Sequence, residues 1–509
     1  MDKKWFSDME SGIPRGGVRT RFAPSPTGYM HVGGLRTALY AWLIAKKHSG
    51  AFILRIEDTD TARFVEGATD IIISTLKGAG LVYDEGPDIG GPAAPYTQSE
   101  RKELYRLYAG LLCEKGAAYY CFCEPRHHVS GIREQGSQSD ETKAGNDARL
   151  PENDPCRDLA YGDSLRRVEA GEAFVVRMKA PREGVTKVSD LVFGEVTTQN
   201  KALDDMVLLK RDGLPTYNFA NVIDDHLMGI THVLRGSEYI SSAPKYNLLY
   251  DAFGWEIPTY ITVSLIMRDM HNKFSKRCGD PTYDDLLSQG YLPEAVLNYV
   301  ALLGWSPGGE RELFTLREMI EVFDIGGISK SPAIFDVEKL GYFNSEYIRA
   351  LAPGDFAQKA KPYIRGAVKN ENISCDAIAA ILQNRCEKLS DIPGKIDFFD
   401  ELPEYGSELF TNKKSKTNEA ISLDMLHAAK SALSDLPGWT SEAIHDSLIC
   451  LAVELGVKNA TLMWPVRIAI SGKPVTPGGA VEICFILGRD ETLRRIDTGI
   501  GKIGGGACE

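Results

Sequence analysis

A histidine and two lysines stand in segments where they could contact a nucleotide. His31 ends the string Arg-Phe-Ala-Pro-Ser-Pro-Thr-Gly-Tyr-Met-His, and Lys273 and Lys276 belong to Lys-Phe-Ser-Lys-Arg. Glycines let a backbone approach phosphates, a helix N-terminus supplies N–H groups, and an ammonium can stabilise charge on a phosphoryl group. Each pattern alone is more often ordinary structure or a solvated loop. The physical properties of both segments suit a nucleotide.

These side chains need secondary structure that positions them. Residues 18–24 alternate like a strand, apolar residues at helical spacing begin near His31, and residues 51–58 form a second strand-like run. This order predicts a β-α-β unit with a parallel strand pair, the seed of a doubly wound sheet. Arg21 and Glu57 stand at the carboxyl ends of the two strands, where open α/β sheets bind ligands.

The rest of the chain predicts an insertion and then a helical region. A helix is expected over 101–116 and a polar surface excursion over 130–155, and strand-like runs occupy 174–178, 206–209, 231–234 and 260–263. The last two runs are expected to return to the first sheet. Beyond residue 281 the periodicity is mostly helical, as over 293–303, 374–389 and 441–455, and Gly501 to Gly506 predict a flexible tail.

The length, composition and net charge of the chain limit the functions that it can have. The chain has 509 residues, 43% of them hydrophobic, which indicates a globular protein of two to four domains. No run of eighteen apolar residues occurs, so we expect a cytoplasmic protein with no membrane partner. Ten cysteines are too sparse for a disulfide scaffold, and a net charge of −12 means that any RNA-binding face must be a local basic patch.

The two phosphate-binding strings resemble the signatures of class I aminoacyl-tRNA synthetases. The first resembles the R-F-A-P-S-P-T-G form of the bacterial glutamyl enzymes, although Gly34 replaces the second histidine of His-Ile-Gly-His. The second resembles Lys-Met-Ser-Lys-Ser, with Phe274 and Arg277 as departures. The resemblance is strongest over 18–110 and 204–345. It implies that His31, Lys273 and Lys276 stabilise the transition state of amino-acid activation.

The resemblance also implies a site for glutamate and a site for ATP. Glutamate carries two carboxylates and one ammonium, so its pocket should offer arginines and an acid. By resemblance, Arg21 and Arg235 meet carboxylates and Glu57 meets the ammonium. The remaining expected residues are Ala23, Ser25, Tyr217 and Asn221 for glutamate, and Gly33, Glu238, Ile266 (through its backbone), Lys273, Ser275, Lys276 and Arg277 for ATP.

Three cysteines resemble a zinc knuckle found in the inserted domain of some members. Cys121, Cys123 and Cys156, with Asp158 as the fourth ligand, could form a closed tetrahedral structural site. His127 or His128 could replace Asp158, and three reduced cysteines without metal are the alternative. Asp224 and Asp225 are interpreted mainly as structural, because a D-D-H string is a weak metal signal.

The resemblance implies an α/β fold, a Rossmann-like doubly wound parallel sheet with an inserted α+β domain, followed by an all-helical C-terminal part. The expected ranges are a catalytic domain split over 1–97 and 217–270, an acceptor-binding insertion over 98–216, a linking domain over 271–350 and an anticodon-binding domain over 351–509. The implied reaction ligates L-glutamate to tRNA(Glu) through a glutamyl-adenylate. ATP with Mg²⁺ is the expected cofactor, and a monomer is expected.

The sequence has three alternative interpretations. Glutaminyl enzymes share the fold, but their first signature begins P-P-E-P-N-G. A truncated relative that glutamylates a modified tRNA base lacks the anticodon domain, and the length of this chain excludes it. A non-catalytic tRNA-binding paralogue would not need the intact His31 and Lys276. Charging of tRNA(Gln) is not determined by these residues, although Arg385 resembles a position that contacts the third anticodon base.

Overall fold

In the computed structural model, residues 3–60, 65–123, 154–274 and 279–504 are described. Contacts divide the chain into two compact units. The first comprises Met1–Asp285 and Leu297–Asp336, and the second comprises Leu286–Val296 and Val337–Glu509. This division differs from the five predicted ranges, which remain a prediction. Within the described ranges, no helix combines the length and apolar character needed to cross a bilayer.

The first unit begins with a helix and the predicted β-α-β unit. Helix α1 (Lys3–Ser11) is followed by β1 (Arg19–Phe22), α2 (Val32–Lys47) and β2 (Ala51–Leu54). Strands β1 and β2 are parallel, with Arg19 opposite Ala51 and Phe22 opposite Leu54. The apolar face of α2 is buried because its leucines and alanines recur at helical spacing. This confirms the predicted unit.

The remaining helices and strands as far as the last strand follow in mixed order. In chain order they are α3 (Ala68–Gly78), α4 (Lys102–Glu114), β3 (Ala118–Cys121), α5 (Tyr161–Glu169), β4 (Val175–Met178), β5 (Val185–Asp190), β6 (Gly194–Gln199), β7 (Val207–Leu209), α6 (Tyr217–Leu227), β8 (His232–Gly236), α7 (Ala243–Phe253), β9 (Thr259–Val263), β10 (Ile266–Met267), α8 (Tyr283–Ser288), α9 (Pro293–Leu302), α10 (Leu316–Val322) and β11 (Ala333–Ile334).

The main sheet has six strands in the order β2-β1-β8-β9-β5-β6. Its neighbouring pairs are parallel except the β5–β6 hairpin, so the prediction that β8 and β9 return to the first sheet is confirmed. The hairpin over 185–199 was not predicted, although it lies in the expected insertion and extends this sheet. Strands β3, β4 and β7 form a separate antiparallel sheet.

The second unit is helical, as the periodicity predicted. Its helices are α11 (Val337–Ala350), α12 (Pro353–Ala367), α13 (Cys375–Leu382), α14 (Ile392–Ile396), α15 (Glu419–Ser434), α16 (Ser441–Glu454), α17 (Asn459–Ser471), α18 (Ala480–Leu487) and α19 (Arg489–Gly504). The helix expected over 374–389 ends earlier, at Leu382, and Arg385 lies in a short 3₁₀ turn.

The prediction of a flexible glycine-rich tail from Gly501 is wrong for the residues described. Helix α19 continues to Gly504, because Ile496 is buried in the core of the second unit and Ile500 and Ile503 pack against that core. Burial of this apolar stripe outweighs the low helix propensity of glycine. The remaining two residues of the predicted tail lie outside the described ranges.

Candidate functional site

The glycine-marked turn fixes the imidazole of His31. This residue is the N-cap of α2, and its Nδ1 accepts a hydrogen bond from the backbone N–H of Gly34 at 3.1 Å. In a neutral ring whose Nδ1 accepts, the proton is on Nε2. A Cβ on Gly33 would lie 3.0 Å from the ring, so glycine there leaves room for the imidazole. The turn therefore selects a tautomer that can donate from Nε2.

Three arginines meet at the buried carboxylate of Asp225. Arg21 donates to it from Nε at 3.0 Å, Arg55 from Nη1 at 2.7 Å and Arg235 from Nη2 at 3.2 Å. Burial alone would raise the pKa of Asp225, but the arginines, Arg21 foremost, hold that pKa well below its usual range. Asp225 is therefore ionised and aligns the three guanidinium groups.

A second aspartate and a glutamate complete this buried network. Asp224 accepts from Arg101 Nε at 2.7 Å and from the Tyr105 hydroxyl at 2.8 Å, while Glu57 accepts from Arg55 Nη2 at 3.0 Å. Both aspartates are held in ion pairs, which agrees with their interpretation as structural residues. Burial raises the pKa of Glu57, although Arg55 opposes the shift.

The network carries one positive charge in excess, because four guanidinium groups face three carboxylates. They are Arg21, Arg55, Arg101 and Arg235 against Glu57, Asp224 and Asp225. A buried cluster with an unbalanced charge favours a ligand of the opposite sign. The cluster therefore suits a ligand with a net negative charge, such as an acidic amino acid.

Arg235 has donors available for such a ligand. Its Nη2 donates to Asn221 Oδ1 at 2.8 Å, and its guanidinium lies 4.5 Å from the ring centre of Tyr246. Its Nε and Nη1 are buried and lack a hydrogen-bond partner among the described residues. Asn221 also donates to the backbone of Tyr217 at 2.7 Å. The structure thus brings Arg235, Asn221 and Tyr217 together with Arg21 and Glu57.

The residues of the turn that follows β1 lie beside this network. The backbone carbonyl of Pro24 accepts from the N–H of Glu57 at 3.0 Å, which places the turn next to that carboxylate. Ala23 is half-buried and Ser25 is exposed. These residues could line a pocket for a small polar ligand.

Buried polar atoms near the end of β8 form a second candidate subsite. Glu238 Oε2 is buried and without a hydrogen-bond partner in the described part of the chain. Arg36 donates from Nη1 to the Leu303 carbonyl at 2.8 Å and from Nη2 to the carbonyl of Ser264. The backbone carbonyl of Ile266 already accepts from Phe274 N–H at 3.1 Å. A carboxylate oxygen at Glu238 could accept from a ribose hydroxyl.

The base of the second signature loop is a short hairpin. Lys273 is exposed and pairs in an antiparallel bridge with Met267, while Asp269 accepts from the N–H groups of His271 and Asn272 at 2.8 Å. Hydrogen bonds from Asn272 and from the backbone lower the pKa of Asp269 to about 2. The three expected residues that follow, Ser275, Lys276 and Arg277, lie outside the described ranges.

Three cysteines and one aspartate converge in the insertion. The ligand atoms of Cys121, Cys123, Asp154 and Cys156 lie within 4.8 Å of one another. Burial, then the neighbouring thiols, raises the pKa of Cys123 to about 12, which a bound cation would reverse. Three thiolates and one carboxylate fit a closed tetrahedral zinc site.

The fourth member of this cluster corrects the sequence prediction. Asp158 has a side chain that is 88% exposed, with Lys179 at 3.8 Å, and it is not part of the cluster. Asp154 takes that place because its Oδ1 accepts from Cys156 N–H at 2.9 Å and its Oδ2 from the Tyr119 hydroxyl at 2.8 Å. The alternatives His127 and His128 lie outside the described residues.

Sequence reasoning missed three buried arginines of the candidate site, Arg36, Arg55 and Arg101. Arg55 interrupts the apolar run Phe52-Ile53-Leu54-Arg55-Ile56, and a cation in such a run needs a buried acidic partner. That signal could have identified Arg55, but no local pattern distinguishes Arg36 from an ordinary helix residue.

Comparisons with known proteins agree with this geometry. The family of class I tRNA synthetases (E and Q), catalytic domain, matches residues 17–342, and an anticodon-binding domain matches residues 355–500. A glutamate–tRNA ligase of Clostridium tetani (strain Massachusetts / E88) is 53% identical over 96% of this chain and 98% of its own length. One of Clostridium acetobutylicum is 50% identical over 96% and 99%.

Two solved structures are similar along nearly the whole chain. The glutamate tRNA ligase of Elizabethkingia meningosepticum, in complex with its amino acid, has a TM-score of 0.82 and 34% identity, covering 96% of this chain and 99% of that one. The synthetase of Elizabethkingia anophelis has a TM-score of 0.81 and 33% identity, covering 95% and 100%. The fold prediction is confirmed by these matches.

The substitution Asp225→Asn tests the network. It leaves three buried guanidinium groups without their shared anion, so the free energy of unfolding should fall by about 3–5 kcal/mol. The contribution of a carboxyl with a lowered pKa is complete above its unfolded value of 3.8 and is lost as the pH falls. The difference between the variant and the wild type should therefore shrink below that pH.

Urea unfolding followed by tryptophan fluorescence measures this difference across pH. The control is Asp251→Asn, which removes an exposed carboxylate on α7. A variant as stable as this control near neutral pH would contradict the role of Asp225.

Proposed function

Because the chain belongs to the class I tRNA synthetases of the glutamate and glutamine type, we propose that it ligates L-glutamate to tRNA(Glu) with ATP. One observation supports this most directly: a buried network with an excess positive charge holds two unpaired donors of Arg235, and Arg55 links its partner Asp225 to the Glu57 carboxylate. Glutamate has one net negative charge, so the charges match.

The pocket would hold glutamate by its charged groups. Arg21 and Arg235 bind the carboxylates, and Glu57 binds the ammonium. Arg21 spends three of its five N–H donors on Asp225 and on the Leu234 carbonyl, which leaves two for substrate. The residues that complete the pocket are Ala23, Ser25, Tyr217 and Asn221. Since Asp225 aligns both arginines, the pocket is preorganised before glutamate arrives.

Activation needs positioning and charge stabilisation. A glutamate carboxylate oxygen attacks the α-phosphorus of ATP, the bond to the β-phosphate oxygen breaks, and pyrophosphate leaves. His31 donates from Nε2 to a phosphate oxygen, and the ammonium groups of Lys273 and Lys276 stabilise the charge on the transferring group. Mg²⁺ carried by ATP shares that charge. Gly33, Glu238, Ile266, Ser275 and Arg277 are the other proposed ATP contacts.

Transfer completes the reaction. The 2′-hydroxyl of the terminal adenosine attacks the carbonyl carbon of the adenylate, and AMP leaves with the electron pair of the broken bond. The insertion over 98–216 would bind the acceptor end of the tRNA. Residues 271–350 would form the linking domain, and residues 351–509 would bind the anticodon. The protein is proposed to act as a monomer, located in the cytoplasm with its substrates.

A basic pair in the helical unit would contact the anticodon. Arg385 donates from Nη1 to the Thr476 carbonyl at 3.3 Å, and the guanidinium of Arg467 lies 4.7 Å from the ring centre of Trp464. Burial, and then the charge of Arg385, lowers the pKa of Arg467. Two neighbouring cations beside an aromatic ring suit an RNA strand, whose phosphates relieve their repulsion and whose bases stack.

We also propose that the cysteine cluster holds one structural Zn²⁺, with Asp154 as its fourth ligand. The ion would fix the strand end at Cys121 to the segment that begins at Asp154. No position is left open for a substrate, so the ion would take no part in the chemistry.

The substitution Lys276→Ala tests the catalytic assignment. Adenylate formation should slow about 100-fold or more, while the Kd of glutamate changes less than about threefold, because the ammonium acts on charge that develops in the transition state. ATP–pyrophosphate exchange with tRNA present measures adenylate formation, and calorimetry measures glutamate binding. Lys359→Ala, on an exposed face of α12, is the control. Equal losses in both assays would refute the assignment, and a wild type without glutamate-dependent exchange would refute the ligase function.

Metal analysis tests the zinc site. The purified chain should hold about one zinc, and Asp154→Asn should weaken zinc retention about 10-fold or more against a chelator, because it removes a ligand. Asp158→Asn is the matched control and should retain zinc as the wild type does. If Asp158→Asn loses zinc and Asp154→Asn retains it, Asp158 is the fourth ligand. If the wild type contains no zinc, the cluster consists of three reduced cysteines without a metal and the proposed zinc site is wrong.

Substitution of the basic pair tests the anticodon contact. Arg385→Ala and Arg467→Ala should each weaken tRNA(Glu) binding by about 1–3 kcal/mol, which appears in the KM for tRNA and not in the KM for glutamate. Arg494→Ala, on the exposed face of α19, is the control. Charging of purified tRNA(Glu) and tRNA(Gln) side by side measures both affinity and specificity. An unchanged KM for tRNA in both variants would remove this surface from the interface.

A further inference from the structure

Helix α1 lies ahead of residue 17, where the match to the family begins, yet it packs on other residues of the first unit. The ring centre of Phe6 lies 5.1 Å from that of Tyr108, and Trp5 lies 6.1 Å from the same ring. Tyr108 in turn contacts Trp255 at 5.5 Å. This aromatic cluster anchors the N-terminal segment to α4 and to the loop that follows α7.

Glu10 makes the polar contacts of this helix. Its carboxylate bonds to His226 Nε2 at 2.9 Å and accepts from Trp255 Nε1 at 3.1 Å. The His226 and Trp255 rings are stacked, with centres 3.7 Å apart and planes 8° apart. One carboxylate therefore fixes two rings that also pack on each other.

His226 connects this contact to the proposed glutamate pocket. It lies in the last turn of α6 and directly follows Asp225, the shared partner of the three arginines. The same helix carries Tyr217 and Asn221. A displacement of its last turn would therefore move the carboxylate that aligns Arg21 and Arg235.

The segment after α1 also contacts the chain beyond α6. Gly229 has a φ of +63°, and a Cβ on it would lie 2.2 Å from the carbonyl oxygen of Pro14. Arg19 donates from Nε to the carbonyl of Met228 at 2.9 Å. Contacts from Glu10 to Arg19 thus restrain both the end of α6 and the turn that follows.

We propose that Glu10 is a positioning residue for the glutamate pocket, acting through His226 and the last turn of α6. The inference rests on the proposed function, because its readout is the affinity for glutamate. Residues 3–16 would then act as a brace that keeps Asp225, and with it Arg21 and Arg235, in the geometry that binds the two carboxylates. The brace touches neither glutamate nor ATP.

The substitution Glu10→Gln in the full chain tests this role. Loss of the carboxylate that bonds to both His226 and Trp255 should raise the KM for glutamate about 2- to 30-fold, the range for residues that act on a site through packed neighbours. The KM for ATP should stay within about twofold, because the arginine network lies in the glutamate pocket. Asp8→Asn removes the same charge from an exposed position on the same helix and should behave as the wild type.

A double-substitution cycle with His226→Asn identifies the route. If Glu10 acts through His226, the two changes together should raise the KM for glutamate no more than the larger single change. Fully additive effects, an unchanged KM in Glu10→Gln, or equal rises in both KM values that follow a lower Tm, would each overturn the proposal. Failure of the proposed function is distinct, since the wild type itself would then show no glutamate-dependent exchange.

Discussion

Three arginines from neighbouring strands converge on the carboxylate of Asp225, and the proposed glutamate pocket depends on that convergence. Arg21 lies in β1, Arg235 lies in β8 and Arg55 directly follows β2. Like charges so close would repel each other, and each loses hydration on burial at a cost of several kcal/mol. A shared anion offsets both effects. The order β2-β1-β8 in the sheet is what lets one helix deliver that anion to all three.

In the proposed pocket, the excess positive charge of the network favours a substrate with a net negative charge. Glu57 and Asp224 balance part of the positive charge, and the remainder is left with buried donors on Arg235. An uncharged side chain such as that of glutamine would occupy the same space without neutralising this excess. In this proposal glutamate supplies the missing anion, and discrimination would follow from the unpaired donors that a wrong ligand leaves.

The sequence predicted the framework of the fold better than the connections between distant residues. The β-α-β unit, the return of β8 and β9, and the helical second unit were readable because local periodicity reports burial of one face. The β5–β6 hairpin was missed because its placement is decided by pairing with β9, far away in sequence. Asp154 was missed for a similar reason, since its hydrogen bonds to Tyr119 and Cys156 depend on the fold. Arg55 carried a signal, but its partners at 224 and 225 could only be seen in the structure.

Two residues of the signature strings depart from the family pattern and lie in the described ranges, and the structure gives a physical explanation for each. Gly34 replaces a histidine, but its contact with His31 uses the backbone N–H, which any residue other than proline supplies. Phe274 replaces a methionine, and its buried ring packs 4.6 Å from that of Phe335, a role that needs only a large apolar side chain. At these positions the fold requires a backbone donor and an apolar anchor. Charge is proposed to act elsewhere, at the lysines, whose ammonium groups would stabilise a developing negative charge together with the His31 donor.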